Sequence, residues 1–458
     1  MKTRTEHDSL GEIEVPAKAL YGAQTERARR NFGISSYRMP AELISALGMI
    51  KVAGAAVNRH FGLLEAAMAD AIASAAEEVA LGEHDEDFPL DVFQTGSGTS
   101  TNMNANEVIA TLATRILSKP VHPNDHVNLG QSSNDVIPSA IHIATAVALS
   151  GRLSPALVRL ADTIHTRSEE LRGVVKTART HLMDAVPIQM GQELSGWEAQ
   201  VRAANDRIGE AVRGLLPLPI GGTAVGTGLN SAPEFGPRVA AELAERTGLQ
   251  FVSAPNKFAG ISAQDAALQA SAQMRGVAVV LRKIADDLRW MNSGPNAGLA
   301  EIELPALQPG SSIMPGKVNP VIPEAVAMAC VHAIGNDTAV MLAAQAGNFQ
   351  LNTMLPLIGW SLLTNVGILT NAADALATNA VASFKVRRER LAEIAGRNPI
   401  LVTALAPRIG YEASAKLAKE AFASGRSILE VALEHTQLTE EELQQLLDPA
   451  RMTRPNLD

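Results

Sequence analysis

The chain has 458 residues and a formal net charge of −9, which argues against a nucleic-acid partner or an anionic membrane surface. Hydrophobic residues make up 46% of it but aromatic ones only 3%, so the core must be Ala, Leu, Val and Ile, a composition suited to close-packed helices. Its one cysteine, Cys330, excludes an internal disulfide and a CxxC metal site and reads as a small buried core residue of a reducing, cytoplasmic compartment.

From Met1 to His7 there is no apolar stretch of the signal-peptide kind, and no uninterrupted run of about 18 apolar residues offers a membrane span. Residues 1 to 40 are mixed, with Pro16, Gly22 and Pro40 breaking any long pattern. Leu43–Asn58 and Glu65–Leu81 read as amphipathic helices that stop near Gly62 and Gly82. The polar run Gln94–Asn104 lacks the last glycine of GxGxxG and has no strand of a βαβ unit ahead of it, which argues against a dinucleotide site. Its hydroxyls and amides suit either the cap of a helix from about Glu107 or a substrate. In the next cluster, His122-Pro123-Asn124-Asp125 has turn chemistry, and Gln131-Ser132-Ser133-Asn134-Asp135 has helix-capping chemistry. A helix start with free amides plus Ser and Asn is also a ready carboxylate site.

Long helical patterns dominate from Ser139 to Ser383. Leu194, Trp197, Val201, Ala204, Ile208, Ala211 and Leu215 alternate steps of three and four, the period of left-handed bundle packing. Leu281, Ile284, Leu288 and Met291 repeat it, as do Leu157, Leu160, Ile164 and Leu171. Helices of about 30 residues or more would leave faces for other subunits, which predicts a homo-oligomer. Helical breaks are expected at Lys176–Pro187, at the glycine-rich Pro217–Pro233 and at Pro309–Pro320. Past Arg397 the helices shorten. The expected fold is therefore all-α, with a mainly helical N-terminal domain (1–135), a central long-helix bundle (136–390) and a small C-terminal helical domain (391–458).

The segment Pro309–Pro320 carries three prolines, two glycines, the hydroxyls of Ser311 and Ser312, the Lys317 ammonium and the Asn319 amide. Such a shaped, polar loop reads as an anion site with a nucleophile or base in it, although a plain helix connector is the bland alternative. It is no P-loop, because five residues separate Gly310 from Gly316 and Val318 follows the lysine. In Arg179–Ala185 the break places His181 between a hydroxyl and an acid. A lone histidine is more often a surface or satisfied core residue. Glu324, at the start of the next helix, is placed to orient an imidazole. A Ser/His/Glu set invites a hydrolase reading, but no G-x-S-x-G elbow is present.

Taken together, these segments resemble the class II fumarases of the fumarase/aspartase superfamily, from about residue 5 to residue 450. GSSxMPxKxN occurs as Gly310–Asn319, and GSGTxxNMNxNE, HPND, QSSND, RTHLxDAxP, GGTAVGTGLN and a C-terminal IGY follow the family order. The resemblance implies cofactor-independent, metal-independent trans hydration of fumarate to (S)-malate in the tricarboxylic acid cycle. It also implies a five-helix central domain, a homotetramer with a twenty-helix core, and active sites shared by three chains. By the same resemblance Ser311 is the base that removes the C3 proton of malate. His181, paired with Glu324, handles the water, while Lys317 and Asn319 hold the aci-carboxylate. Ser97, Gly98, Thr99, Ser132, Ser133, Asn134, Thr180, Ser312 and Val318 would bind the rest of the substrate, and His122, Pro123, Asn124 and Asp125 a second, peripheral dicarboxylate. His181 and Gly316 stand where aspartases, the rival ammonia-lyases, typically carry Gln and Ala. A catalytically silent oligomer on the same fold would have lost these residues. One departure is Asn296, where many members carry Arg, and altered packing is expected there.

Overall fold

The computed structural model describes residues 2–455; Met1 and residues 456–458, which belong to the expected first and third domains, lie outside the described residues. A hairpin of β1 (Thr3–Asp8) and β2 (Gly11–Pro16) precedes α1 (Ala23–Asn31), α2 (Ala41–His60), α3 (Ala66–Ala80) and α4 (Thr99–Leu117). After α5 (Ser133–Ala148) and α6 (Ser154–Glu170) comes a second hairpin, β3 (Val175–Thr180) and β4 (Met183–Gln189). Then follow α7 (Met190–Leu215), α8 (Phe235–Thr247), α9 (Lys257–Ser262), α10 (Asp265–Met291), α11 (Val321–Ala344) and α12 (Leu355–Leu376). Short helices close the chain, among them α13 (Arg388–Arg397), α14 (Ala406–Ile409), α15 (Tyr411–Ser424), α16 (Ile428–His435) and α17 (Glu440–Leu446). The protein is 63% helical, and each sheet among the described residues has two strands, so the architecture is an all-α helical bundle.

The three-four period does what it predicts. All seven residues of the α7 stripe, from Leu194 to Leu215, are buried, as are Leu281, Ile284, Leu288 and Met291 of α10. Cys330 is buried in α11. Helix lengths fall short of the expected 30 in α7, α10, α11 and α12, which run to 26, 27, 24 and 22 residues. Only α5 and α6, joined through a π-helical turn, make a longer run of 38 residues.

Packing groups the chain into two compact units. One comprises Met1–Pro155, Ala204–Ala278 and Ala329–Asn371, the other Ala156–Ala203, Val279–Met328 and Ala372–Asp458. The boundaries fall inside long helices, which have different neighbours at their two ends. In the first unit α2 packs on α3, α5 and α8. A Cβ on Gly48 of α2 would lie 2.6 Å from the Ala80 amide nitrogen, so the two backbones touch there. Ser271 Oγ donates to Asp337 at 2.7 Å, and Asn336 donates to Asn365 at 3.0 Å, tying α10, α11 and α12. In the second unit the Trp197 indole donates to Asp287, and Leu401, Leu405, Leu417, Val431 and Leu443 form a core of their own near the carboxyl terminus.

Lys176–Pro187 interrupts the helices as expected, and the break is filled by a β-hairpin whose strands pair antiparallel across the two-residue turn His181–Leu182, with a register shift between Thr177 and Arg179. Three helical stretches, α2, α5–α6 and α11, are long and apolar enough to cross a membrane by length and composition, although polar residues interrupt each. The first two bury 67% and 78% of their apolar window inside the protein, but α11 buries only 33%.

Candidate active site

The loop Pro309–Pro320 is held shut at its neck. Gly310 N donates to Lys317 O at 2.9 Å, and Asn319 Nδ2 donates to Gly310 O at 2.7 Å. A Cβ on Gly310 would sit 2.2 Å from Lys317 O, so only glycine admits that closure. Within the ring, Ser311 Oγ accepts the backbone N–H of Ile313 at 3.2 Å and of Met314 at 3.0 Å. Two donors converging on one hydroxyl oxygen favour its anionic form, as an oxyanion hole does. Ser311 is half-buried, whereas Ser312, Lys317 and Val318 are exposed, and the loop encloses a cavity of about 480 Å³ that Ser311, Lys317 and Val318 line. Asn319 spends its amide on the loop itself and therefore shapes the site.

His181 sits at the tip of the β3–β4 hairpin, beside exposed Thr180. His181 and Leu182 have φ of +56° and +61°, a two-residue turn that ordinarily takes Asn and Gly. The base of the hairpin is pinned by buried charge. Lys176 reaches Glu301 at 2.5 Å and Glu193 at 2.7 Å, and Arg179 reaches Glu301 at 2.6 Å. Glu324 occupies the first turn of α11, as expected. No hydrogen bond or ion pair joins it to His181 among the described residues.

The first unit gathers five of the other expected residues around one cavity of about 510 Å³. Thr99, Asn124, Ser132, Ser133 and Asn134 all line it. Asn124, expected in a peripheral site, thus shares a wall with residues expected at the main one. Ser97 and Thr99 share a hydrogen bond of 2.7 Å across Gly98, whose φ of +72° opens α4. Ser132 caps α5: its Oγ accepts Asn134 N at 3.2 Å, and its N–H donates to Asp135 at 2.9 Å. Asn134 Nδ2 donates to Ala224 O, and Asp135 accepts the N–H of Gly221 and Thr223 at 2.9 Å each. The glycine-rich break thereby becomes a wall of the cavity. His122 opens the Pro123–Val127 π-helical turn by accepting the Asp125 N–H at its Nδ1, at 3.1 Å.

Gln131, named above with the capping cluster, also lines the cavity, and sequence reasoning missed three further contributors: Gln24 and Asn128 line it too, and fully buried Lys51 donates to Asn128 Oδ1 and Gln131 Oε1, both at 2.9 Å. Burial pulls the Lys51 ammonium down to about 7, with the Asp135 charge working against it. Burial likewise pushes the Asp135 carboxyl up to about 6, despite its backbone donors. A signal existed: Lys51 falls four residues after Leu47, on the apolar face of α2. Asn296 is exposed, so its departure touches no core of this chain. Two histidine–carboxylate groups elsewhere, Glu78/Glu83/His84 and Glu420/Glu434/His435, contain the hydrogen bonds His84–Glu78 and His435–Glu420.

Residues 11–335 match the Lyase family, and residues 401–454 match the Fumarase C C-terminus family. The chain is 56% identical over 450 residues to "Fumarate hydratase class II" of Xylella fastidiosa (strain 9a5c), covering 98% of this chain and 95% of that protein. It is 54% identical over 455 residues to "Fumarate hydratase class II 2" of Pseudomonas aeruginosa, covering 99% of each. Among solved structures, the recombinant class II fumarase of Schistosoma mansoni superposes with a TM-score of 0.97 at 39% identity, covering 99% of each chain. With the loop around Ser311, the capped start of α5 and these full-length matches in one chain, the protein belongs to the class II fumarate hydratases of the lyase family.

Proposed function

We propose that the chain is a hydro-lyase that reversibly hydrates fumarate to (S)-malate by general acid–base chemistry, with Ser311 as the base. The observation that carries this reading is the pair of backbone N–H groups on Ser311 Oγ. A serine hydroxyl is a poor base until its alkoxide is stabilised, and those two donors, with the Lys317 charge nearby in sequence, favour the alkoxide. Ser311 takes the C3 proton of malate, leaving a dianionic aci-carboxylate that Lys317 stabilises while Asn319 holds the loop in shape. His181 protonates the departing hydroxyl, or in the reverse direction deprotonates the attacking water, with Glu324 as its carboxylate partner. Thr99 at the head of α4, with Ser132, Ser133 and Asn134 at the positive end of α5, receives a carboxylate of the substrate. Ser97, Gly98, Thr180, Ser312 and Val318 complete the contacts. His122 to Asp125 form an entry-side dicarboxylate contact continuous with that wall through Asn124.

A homotetramer whose active sites draw on three chains completes the reading. In its support, no hydrogen bond or ion pair joins His181 to Glu324 among the described residues, and α11 leaves Met328, Val331, Met341 and Leu342 exposed. Every proton in this scheme moves through a side chain, so no metal or cofactor is required. Following fumarate by its ultraviolet absorbance tests both points. Malate should raise the absorbance, aspartate should not, and excess chelator should leave the rate unchanged. A rise with aspartate alone would make the enzyme an ammonia-lyase, and a rate lost to chelator would overturn the metal-free scheme.

A further inference from the structure

We infer that Lys51 is an electrostatic positioning residue for the α5 carboxylate subsite, the buried cation that lets a dianionic substrate approach the Asp135 carboxylate beneath it. The inference rests on the substrate reading above and goes beyond it.

None of the residues lining the 510 Å³ cavity carries a cationic side chain. Directly behind its wall, Asp135 is wholly buried and cannot be dispensed with, because its carboxylate closes the Ser132 cap and holds the Gly221 and Thr223 amides. A substrate carboxylate at the start of α5 would therefore meet a like charge within one helical turn, which opposes what the helix dipole offers. Lys51, 0% exposed, supplies the opposite charge from α2. An isolated ammonium on an apolar helix face is costly, and an apolar residue there would ordinarily serve stability better.

Geometry links this charge to the wall. An ammonium can only donate, so its two bonds fix the carbonyl ends of Asn128 and Gln131 toward Lys51. Their amide ends are then committed to the turn, Asn128 Nδ2 to Gln131 O at 3.2 Å and Gln131 Nε2 to Val127 O at 3.2 Å. Asn102 adds donors to Asn128 Oδ1 and to Ser133 Oγ. The turn that delivers Ser132 to the head of α5 is thus built around the Lys51 charge.

The test compares wild type with Lys51→Gln, which keeps a donor but no charge, and Lys51→Met, which keeps neither. Fumarate kinetics would be measured alongside calorimetric binding of succinate, an unreactive dianion, and of succinamate, which can turn its neutral end to α5. Lys51→Gln should raise KM and the succinate Kd about tenfold, the scale of one partly screened charge contact. Its kcat should stay within about threefold and succinamate should be weakened less, while Lys51→Met should be worse on the dianion. Unchanged succinate binding in Lys51→Gln, equal weakening of both ligands, or a fall in kcat at constant KM would overturn the assignment. Failure of both variants to fold would overturn it as well, because a structural role would then account for the residue. Wild-type enzyme inert toward fumarate would sink the substrate reading instead, and succinate binding would still decide the role of Lys51.

Discussion

Ser311 illustrates how backbone groups alone can converge on a common hydroxyl. Its hydroxyl has no histidine at hydrogen-bond distance among the described residues, and the groups that favour its alkoxide are the amides of Ile313 and Met314. Their positions depend on Gly310 and on the left-handed Gly316 at φ +81°, so the loop's composition is read out as electrostatics. Replacing Ser311 by Ala removes the proton acceptor but none of the bonds that close the loop neck. Turnover should fall by about 10² to 10⁴-fold, the usual weight of a general base, with unfolding by urea unchanged. Retained turnover in steady-state assays would remove Ser311 from the base role.

At the scale of elements, buried charge anchors the hairpin that presents His181. Glu301 lies between Lys176 and Arg179, and both Glu301 and Lys176 are almost fully buried. Glu301→Gln leaves Lys176 with only Glu193, an exchange that costs about 3 to 5 kcal/mol when a buried pair is broken outright and less where one partner survives. A lower urea midpoint together with a reduced kcat is expected, and a variant as stable as wild type would show that the hairpin does not need the pair. A second element-level prediction concerns α1, where hydrogen bonds from Arg29 and then Arg30 hold the buried Glu26 carboxyl below its ordinary value of 4.5. A depressed folded-state value means stability present above pH 4.5 and lost as pH falls through the folded value. The stability gap between wild type and Glu26→Gln should therefore shrink below pH 4.5, and a gap independent of pH would contradict the pairing.

For the whole molecule, α11 is the informative helix. It is among the most apolar in the chain yet hides only 33% of its apolar window, against 67% and 78% for the other two such stretches. Exposed Met328, Val331, Met341 and Leu342 are well suited to burial by further copies, as the proposed shared site would need. Light scattering should give a mass about four times the 48.3 kDa of one chain, and dilution to monomer should abolish activity. A fully active monomer would overturn the shared-site reading.

Much of this was legible in the linear chain. The α7 stripe from Leu194 to Leu215, the helix break at Pro309–Pro320 and the capping chemistry at Ser132 follow from side-chain period and local hydrogen bonding, which a sequence displays directly. The resemblance of ordered motifs supplied the reaction. The β3–β4 hairpin was hidden because Gly and Pro signals mark a break without saying what fills it. Lys51 was hidden for another reason: its acceptors Asn128 and Gln131 lie 77 and 80 residues away. Asp135 likewise finds Gly221 and Thr223 only 86 and 88 residues downstream. By itself, then, the sequence determined the helices, their buried faces and the motif residues, since these depend on neighbours a few positions apart. Tertiary structure alone decided which buried charges stand behind the head of α5, because only packing brings such distant groups to within 3 Å.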